Sequence, residues 1–462
     1  MWRTRLILCI VSLASISVWL GFQLTLRIDK NLVVAPEAVA KQCAEGYPQR
    51  PQPSGGRRTS FEAGPGCYGI AQQVAAQVTA RAHLRSLDSG PTLRVLFVMS
   101  RKLYEGMMDS YYTEQMEACD RHPSMDCGVW GPGFDGYREN SSLEENIRIQ
   151  HGDVTFYDIH VFQPGEPPVT FDSDVPPPGV VRAQRFNEDW NSYNAHLWRR
   201  LHVRLVMFSF AQDMFESAAQ FRHENFDKVF FHVPMSADPL LYDSSSYVPQ
   251  QKNVSSLLVG AKDAYCYPMR TRLAVMIEAG LLPGIVRDHP GYISPTFLRR
   301  QTQRADYASA LRSANAVFVT PSFYHYRLQK FSEVALSGTL MIGPIPQERE
   351  ELFKDIMVEL REDDSDDYIS TITKWWLDHH SERGAVSRLA QQVAQVLFTW
   401  DVTFADRLYS AYFRLQRGET GWWFTEPFTV RTPRRNVCDC NLRSSEADYV
   451  LGPRCPHVPQ PQ

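Results

Sequence analysis

The chain has 462 residues, of which 44% are hydrophobic and 12% aromatic, and a formal net charge of -4 at pH 7. This composition is typical of a globular protein with enough apolar residues for two domains of ordinary size, and it excludes a disordered chain. The acidic balance, without an arginine-rich stripe or a basic tail, argues against a nucleic-acid partner.

The first predicted element is a membrane anchor. Leu6 to Phe22 is a run of seventeen mostly apolar or small residues that extends to Leu26. As a helix, seventeen residues span about 26 Å, which suits the thinner membranes of the early secretory pathway. A cleavable signal peptide is the alternative, since Ala38 to Ala40 has the A-x-A form, but it lies far beyond the apolar run. Flanking Lys and Arg counts do not fix the orientation. We favour residues 1–26 as cytoplasmic tail and uncleaved anchor of a single-pass type II protein.

Residues 27–91 predict a lumenal stem rich in Pro and Gly, with a short helix from Ile70 to Leu87. Asn140 and Asn253 begin glycosylation sequons, which agrees with export. Besides Cys9 in the anchor the chain has eight cysteines. An even number in an oxidising compartment permits four disulfides, and Cys119 with Cys127 would close a tight loop.

Residues 92–245 alternate predicted strands and helices, which favours a parallel sheet. The first strand, Thr92 to Met99, is a buried apolar run of the kind that begins a Rossmann-like sheet. No glycine-rich fingerprint follows it, so we expect no classical dinucleotide site. The other predicted strands are Val154 to Val161 and Lys228 to Val233, and the predicted helices are Met108 to Cys119 and one around Asn194 to Ala219.

The second half predicts the same alternation, and its clearest segment runs from Ala314 to Pro346. Ala316 to Thr320 is a short β-branched run typical of a buried strand, whereas Arg327 to Ser337 has the apolar period of a helix. Gly338 stands where that helix would end in a left-handed conformation, before a further strand from Thr339 to Gly343. Ligands of open α/β sheets bind beyond the carboxyl ends of such strands, where a helix N-terminus attracts an anion such as a diphosphate.

Four short passages carry a resemblance to a known family. Lys330 to Thr339, KFSEVALSGT, is similar to a K-(Y/F)-x-E-A-x-A-x-G-T signature, and Leu257 to Arg270 contains a VGA followed by YPMR. Thr399 to Asp401 resembles an HTW turn, with Phe398 where His is usual, and Gly128 to Phe134 contains GPGF. These passages resemble GT-B glycosyltransferases of the group 1, CgeB-like kind.

The resemblance implies an α/β fold of two Rossmann-like domains. Residues 92–245 would form the acceptor domain and residues 246–417 the nucleotide-sugar-binding domain, whose last helix, Asp401 to Arg417, crosses back to the first domain. Residues 418–462 would be a Cys- and Pro-rich tail. The implied activity is transfer of a sugar from a nucleoside diphosphate sugar to a glycan, protein or lipid acceptor in the Golgi or ER lumen. The family implies retention of configuration, no obligatory metal and no tightly bound cofactor.

The resemblance also assigns roles in the nucleotide-sugar site. Glu333 matches the second Glu of an E-x7-E pair and would accept hydrogen bonds from the ribose, as ionised carboxylates can. Arg270 and Lys330 would neutralise the diphosphate, and Gly260 and Gly338 belong to the matching passages. The alternatives are an exposed Lys330–Glu333 pair on the helix surface and a surface arginine at a helix start.

Two histidines are further candidates. His325 occupies the position of the first Glu of the pair, and it would contact the donor sugar or merely cap the loop. His232, at the end of a predicted strand, would act as an acceptor-side base, and the alternative is a strand-end histidine whose hydrogen bonds are satisfied.

Two other functions stay open at the level of sequence. Asp172 and Asp174 have the D-x-D spacing that holds a divalent metal in GT-A transferases, although acidic Pro-rich loops are usually only solvated. A non-catalytic lumenal partner protein would keep the fold without turnover, which the missing Glu at His325 favours and the intact Lys330 to Gly338 block opposes.

Overall fold

The computed structural model has two parallel β-sheets with flanking helices, and it describes residues 74, 92–106, 111–162, 167–186, 192–220, 227–246, 252–264, 266–288, 297–322, 324–423 and 425–426. The predicted anchor, nearly all of the predicted stem and most of the tail lie outside these residues. Among the described residues, none of the helices combines the length and hydropathy needed to cross a membrane. The described part belongs to one compact unit.

The first sheet has seven parallel strands in the order β12-β6-β5-β4-β3-β1-β2. Its strands are β1 Leu93–Val98, β2 Met125–Trp130, β3 Ile159–Phe162, β4 Val181–Phe186, β5 Val203–Phe208, β6 Val229–His232 and β12 Gly421–Trp423. The helices along this part of the chain are α1 Arg101–Gly106, α2 Tyr111–Asp120, α3 Leu143–His151, α4 Ser192–Arg200 and α5 Ala211–Gln220. Its inner strands are buried along most of their length, because helices cover a parallel sheet on both faces, although β4 also buries polar residues.

The second sheet has five parallel strands in the order β11-β10-β9-β7-β8. They are β7 Val254–Val259, β8 Ile285–Arg287, β9 Ala314–Phe318, β10 Leu340–Gly343 and β11 Val358–Glu359. The chain reaches this sheet through α6 Pro239–Tyr242 and a 3-10 turn, Ser244–Ser246. Its helices are α7 Pro268–Glu278, α8 Phe297–Ser313, α9 Gln329–Leu336, α10 Glu350–Ile356, α11 Asp366–Asp378 and α12 His380–Leu397.

The chain then returns to the first sheet. A π-helical turn, Asp401–Ala405, leads directly into α13, Asp406–Gln416. Trp400, Phe404 and Leu408 are fully buried in the core of the first sheet, as expected for a crossing last helix. β12 follows and pairs with β6, so part of the predicted tail extends the first sheet.

The carboxyl ends of the two sheets meet. The backbone N–H of Ala211, just beyond β5, donates to Glu348 beyond β10 at 2.8 Å. The hydroxyl of Ser332 on α9 donates to the Met235 carbonyl beyond β6 at 3.0 Å. Residues that follow the strands of both sheets therefore lie in contact, where ligands of α/β proteins bind.

The prediction of a single helix around Asn194 to Ala219 is wrong for the central residues of this segment. The structure has two helices there, α4 and α5, separated by strand β5. Helix α4 ends at Arg200, and His202, two residues later, has a left-handed φ of 49°. Val203–Phe208 is a six-residue run in which only Arg204 is not apolar. Such a run fits a buried strand or a buried helix equally well by periodicity, and packing between β4 and β6 decides it. The predicted strand from Val154 is also shorter, beginning at Ile159.

Several local predictions are confirmed. Gly338 follows the end of α9 with a φ of 60°, and strands β9 and β10 flank that helix as predicted. The disulfide between Cys119 and Cys127 is present, with the two Cα atoms 6.0 Å apart. Of the predicted stem helix, only Val74 is described; it is helical and fully buried in the core of the second sheet.

Candidate functional site

Two basic side chains converge on the backbone at the carboxyl end of β7. Gly260 follows this strand with a φ of 113°, a conformation that favours glycine. A Cβ atom at Gly260 would lie 2.6 Å from Lys330 Nζ and 2.9 Å from Arg270 Nη1. The close approach of two cations to this turn therefore requires the absence of a side chain.

The protein holds Arg270 of α7 in a fixed orientation. Its Nε donates to Thr320 Oγ1 at 3.0 Å and its Nη2 to the Thr320 carbonyl at 3.2 Å, just beyond β9. Its Nη1 donates to the Ala261 carbonyl at 3.1 Å, and the guanidinium lies 3.8 Å from the ring centroid of Tyr267. A planar fork anchored in this way is suited to two oxygens of a phosphate.

Lys330 reaches the same place from α9. Its Nζ donates to the Val259 carbonyl, the last of β7, at 2.8 Å. Leu328 at the N-cap of α9 and Tyr267 at the N-cap of α7 provide no side-chain cap. The amino ends of both helices therefore add partial positive charge beside the two cations. Gly260, Arg270 and Lys330, which the sequence singled out separately, form one basic site.

Glu333 lies one helical turn after Lys330 but faces the protein interior. It is 7% exposed, and its Oε2 accepts from the Tyr307 hydroxyl of α8 at 2.9 Å. Tyr242 of α6 provides a further side-chain hydrogen bond. Burial raises the pKa of Glu333 to about 7, and the negative charge of Glu114 adds to the rise. The structure thus gives this carboxyl two tyrosine partners that the sequence did not predict.

Glu114 of α2 joins the first half of the chain to the second. Its carboxylate is fully buried and accepts from Arg304 Nη2 at 2.9 Å, Gln329 Nε2 at 3.0 Å and Trp400 Nε1 at 2.7 Å. Three donors at these distances satisfy a buried carboxylate well. Glu114 could not be recognised from the sequence, because it lies on a helix of otherwise ordinary composition.

Asp238 lies in the same polar cluster. It caps α6 by accepting from the Leu240 N–H at 3.1 Å, and its Oδ1 is 3.2 Å from Arg121 Nη2. Burial, together with the charge of Glu114, raises the pKa of Asp238 to about 7. Burial therefore raises the pKa of both Asp238 and Glu333, two carboxyl groups of the described residues, to about 7.

The two remaining candidates of the C-terminal half lie elsewhere. His325 is half-buried in the loop between β9 and α9 with a φ of 60°, and its backbone N–H donates to the Ser322 carbonyl at 2.8 Å. Gly338 lies at the opposite end of α9 from Lys330, about 12 Å along the helix axis. It terminates the helix, and a Cβ there would meet Ser244 Oγ at 2.8 Å.

His232 is fully buried at the carboxyl end of β6. Its Nε2 is 3.5 Å from Glu348 Oε1, and its carbonyl accepts from Arg407 Nη1 at 2.9 Å. Around it lies what we call the arginine cluster, which consists of Arg327, Arg349, Arg407, Glu348, Glu426 and His232. Of this cluster, only His232 was a candidate site residue on the basis of the sequence.

Asp172 and Asp174 do not reach the carboxyl ends of the sheets. The Asp172 carboxylate accepts from Ser142 Oγ, and the Asp174 carbonyl accepts from Arg182 Nη1 near the start of β4. Both residues thus lie at the amino end of β4, opposite the ligand edge. Among the described residues, no group of three or more His, Cys, Asp or Glu side chains is arranged to hold a metal ion.

Comparison with known proteins gives weak similarities of fold. No protein-family model matches the sequence, and no curated protein matches it by sequence search, so the CgeB-like assignment stays a prediction. Among solved structures, sucrose-phosphate synthase from Thermosynechococcus elongatus and a glycosyltransferase from Rickettsia africae each match with 10% identity and a TM-score of 0.45. They cover 70% and 71% of this chain and 99% of their own chains. An Anabaena protein in complex with UDP and glucose matches with 10% identity and a TM-score of 0.41, covering 69% of this chain and 98% of its own. At these scores the matches carry no information about substrate or activity.

Proposed function

We propose that this protein is a GT-B-type glycosyltransferase that uses a nucleoside diphosphate sugar as donor. The observation that carries the proposal is the basic site formed by Gly260, Arg270 and Lys330. It lies at the carboxyl ends of β7 and β9 in the second of two parallel sheets. Ligand sites of α/β proteins form at this edge.

The chemistry of sugar transfer explains the two cations. When the bond between the anomeric carbon and the diphosphate breaks, negative charge develops on the departing phosphate oxygen. Positive groups fixed in advance lower the energy of that transition state, because they do not need to reorganise. Arg270 is fixed by Thr320 and Ala261, and Lys330 by Val259. We propose that these two side chains supply this stabilisation without an obligatory metal ion.

The roles of the other candidates follow from their surroundings. Glu333 would bind the ribose only by exchanging the hydroxyl of Tyr307 or Tyr242 for a ribose hydroxyl. His325 would contact the donor sugar from the loop before α9. His232 would act as an acceptor-side base only if the surrounding contacts open, because it is fully buried.

Stereochemistry, acceptor and location form the finer part of the proposal. We propose retention of the anomeric configuration and a glycan, glycoprotein or lipid acceptor, on the basis of the resemblance of the Lys330 to Thr339 passage. We also propose a type II protein of the Golgi or ER membrane with a lumenal catalytic part. The Cys119–Cys127 disulfide and the exposed side chains of Asn140 and Asn253 support exposure to an oxidising, glycosylating compartment.

A donor screen tests the proposal. The full-length protein would be purified in detergent and assayed for release of nucleoside diphosphate from a panel of UDP- and GDP-sugars, with and without chelator. We expect one donor to be turned over in both conditions, and Lys330→Ala to lower kcat/KM by roughly tenfold or more, because a charge-assisted contact is lost. Lys374→Ala, which changes an exposed lysine of α11, is the matched control.

A non-catalytic partner protein is the second candidate. It is favoured by His325 at the position of the expected Glu and by the engagement of Glu333 with Tyr307. UDP or GDP binding without turnover of any donor, in the presence of crude glycan acceptors, would support this function. An anomeric analysis of the product showing inversion would contradict the retaining mechanism.

A further inference from the structure

The arginine cluster is a closed ring of contacts between the two sheets. Glu348 accepts from the backbone N–H of Arg327 at 3.0 Å and lies 3.5 Å from His232. The His232 carbonyl accepts from Arg407, whose Nη2 donates to Glu426 Oε1 at 3.0 Å. Glu426 Oε2 then lies 3.4 Å from Arg327 Nη2, which closes the ring. Each of these side chains is buried.

Arg327 is incompletely satisfied within this ring. Its guanidinium is fully buried, and none of its three nitrogen atoms has a hydrogen-bond partner among the described residues. The ion pair with Glu426 offsets part of its charge, but at 3.4 Å it does not satisfy the N–H donors. Buried guanidinium donors are rarely left in this condition, because a buried charged group without hydrogen bonds is costly.

Other polar groups in the same region also lack hydrogen-bond partners among the described residues. Gln347, next to Glu348, is fully buried, and neither its Oε1 nor its Nε2 has a described hydrogen-bond partner. The same is true of both ring nitrogens of His232 and of Ser322 Oγ. These atoms include donors as well as an obligatory acceptor, Gln347 Oε1. A ligand that satisfied them would need negatively charged oxygens for Arg327 and hydroxyl donors for Gln347.

The region lies at the carboxyl ends of strands from both sheets, where a ligand that contacts both sheets would bind. His232 ends β6, Ser322 and Arg327 follow β9, and Gln347 follows β10. The two carboxylates of the cluster are already engaged, Glu348 by two backbone N–H groups and Glu426 by arginines. Apart from the 3.4 Å contact of Glu426 with Nη2, they therefore leave Nε and Nη1 of Arg327 without an oxygen partner among the described residues.

We propose that this region binds an acidic sugar, with Arg327 on its carboxylate or phosphate oxygens and Gln347 on its hydroxyls. The identification of that sugar as acceptor or transferred group rests on the proposed function, whereas the site itself does not. Binding requires the two sheets to part, because the polar groups are fully buried. Glu426, which follows β12 of the first sheet, contacts Arg327 and Arg349 in loops of the second sheet. Separation of the two sheets would therefore break these contacts. Opening and closing around substrate is common in two-domain enzymes.

Binding measurements on the full-length protein test the proposal. Methyl glucuronoside and glucose 6-phosphate would be titrated by calorimetry, beside methyl glucoside as a neutral analogue and UDP and GDP as probes of the Arg270–Lys330 site. We expect at least one acidic sugar to bind and methyl glucoside not to bind. Arg327→Gln should lower the affinity for the acidic sugar by about tenfold or more and leave the affinity for UDP unchanged. Arg388→Gln, at an exposed arginine of α12, is the matched control.

The outcomes separate this inference from the proposed function. Binding of UDP but of neither acidic sugar by the wild-type protein would overturn the inference. Binding of an acidic sugar but not of UDP or GDP would support it and count against the nucleotide site. Binding of methyl glucuronoside alone would identify the ligand as a sugar carboxylate. Binding of glucose 6-phosphate alone would identify it as a sugar phosphate ester. If Arg327→Gln does not fold, the proposal is still tested by Gln347→Leu and by the comparison of acidic sugars with methyl glucoside in the wild-type protein. Equal binding of neutral and acidic sugars would contradict the proposal.

Discussion

The ammonium group of Lys330 donates to the Val259 carbonyl at 2.8 Å, so the start of helix α9 is attached to the end of strand β7. This contact places a positive charge over Gly260, where a Cβ atom would lie 2.6 Å from Lys330 Nζ. The geometry of the basic site therefore depends on one backbone position without a side chain.

Gly260→Ala is expected to weaken nucleotide binding. The new methyl group would displace both Lys330 and Arg270, and the φ of 113° adds backbone strain of roughly 1–2 kcal/mol. Gly280→Ala is the control, since its φ of 74° is also positive but no atom lies within 4 Å of the new Cβ. UDP affinity, measured beside the urea midpoint, should fall only for Gly260→Ala. An equal loss of affinity in both variants would show that strain, not displacement of the cations, is responsible.

Glu333→Gln should change how stability depends on pH. Burial raises the pKa of Glu333 to about 7, against a usual value of 4.5. Between these pH values the native state binds more protons than the unfolded state, so stability falls as pH rises, by about 1.4 kcal/mol per pH unit for a fully retained proton. The variant should flatten the curve of unfolding free energy between about pH 5 and pH 7. Asp238, whose pKa is raised in the same direction, should leave a residual slope. An unchanged curve would mean that Glu333 is ionised throughout.

Glu114→Gln tests the polar contact between the two halves of the chain. The substitution removes the nearest carboxylate of the buried Arg304, and only Glu117 at 4.0 Å and Asp238 at 3.9 Å stay near it. Breaking a buried ion pair costs about 3–5 kcal/mol when the remaining charge is uncompensated, so we expect a loss of stability up to that size. It should also lower the pKa of Glu333, because the charge of Glu114 helps to raise it. The fall of stability with rising pH should therefore end at a lower pH than in the wild type, while its start near the unfolded pKa of a glutamate stays the same. Glu145→Gln, on the exposed side of α3, serves as control, and urea unfolding at several pH values provides the measurement.

Replacement of both Cys119 and Cys127 by Ser should destabilise the protein by about 2–3 kcal/mol, as removal of a short disulfide loop usually does. The bond joins the end of α2 to β2, and its two cysteines lie eight positions apart in the sequence. Thermal unfolding of the double variant and the wild type under non-reducing conditions measures the effect. Equal midpoints would show that this bond is dispensable for stability.

Local features of the second sheet could be predicted from sequence. Strands β9 and β10, helix α9 and its end at Gly338 are encoded in about thirty consecutive residues by apolar period and one glycine. The order of the strands and the existence of strand β5 could not be predicted, because a mostly apolar run of six residues does not reveal its neighbours. The closeness of Arg270 and Lys330 was expected only from the resemblance, since sixty positions separate them in the sequence.

The sequence by itself determined most of the alternation of strands and helices and the end of α9 at Gly338, since these depend on neighbouring residues, and it permitted the Cys119–Cys127 loop without fixing the pairing. Only the tertiary structure decided which charges meet. Arg304 and Glu114 lie 190 positions apart, and Glu348 and Ala211 lie 137 apart, yet both pairs are buried in contact. Ion pairing and the pKa of a buried carboxyl such as Glu333 depend on distance and on exclusion of water in the folded state. Neither quantity exists until the two sheets have packed together.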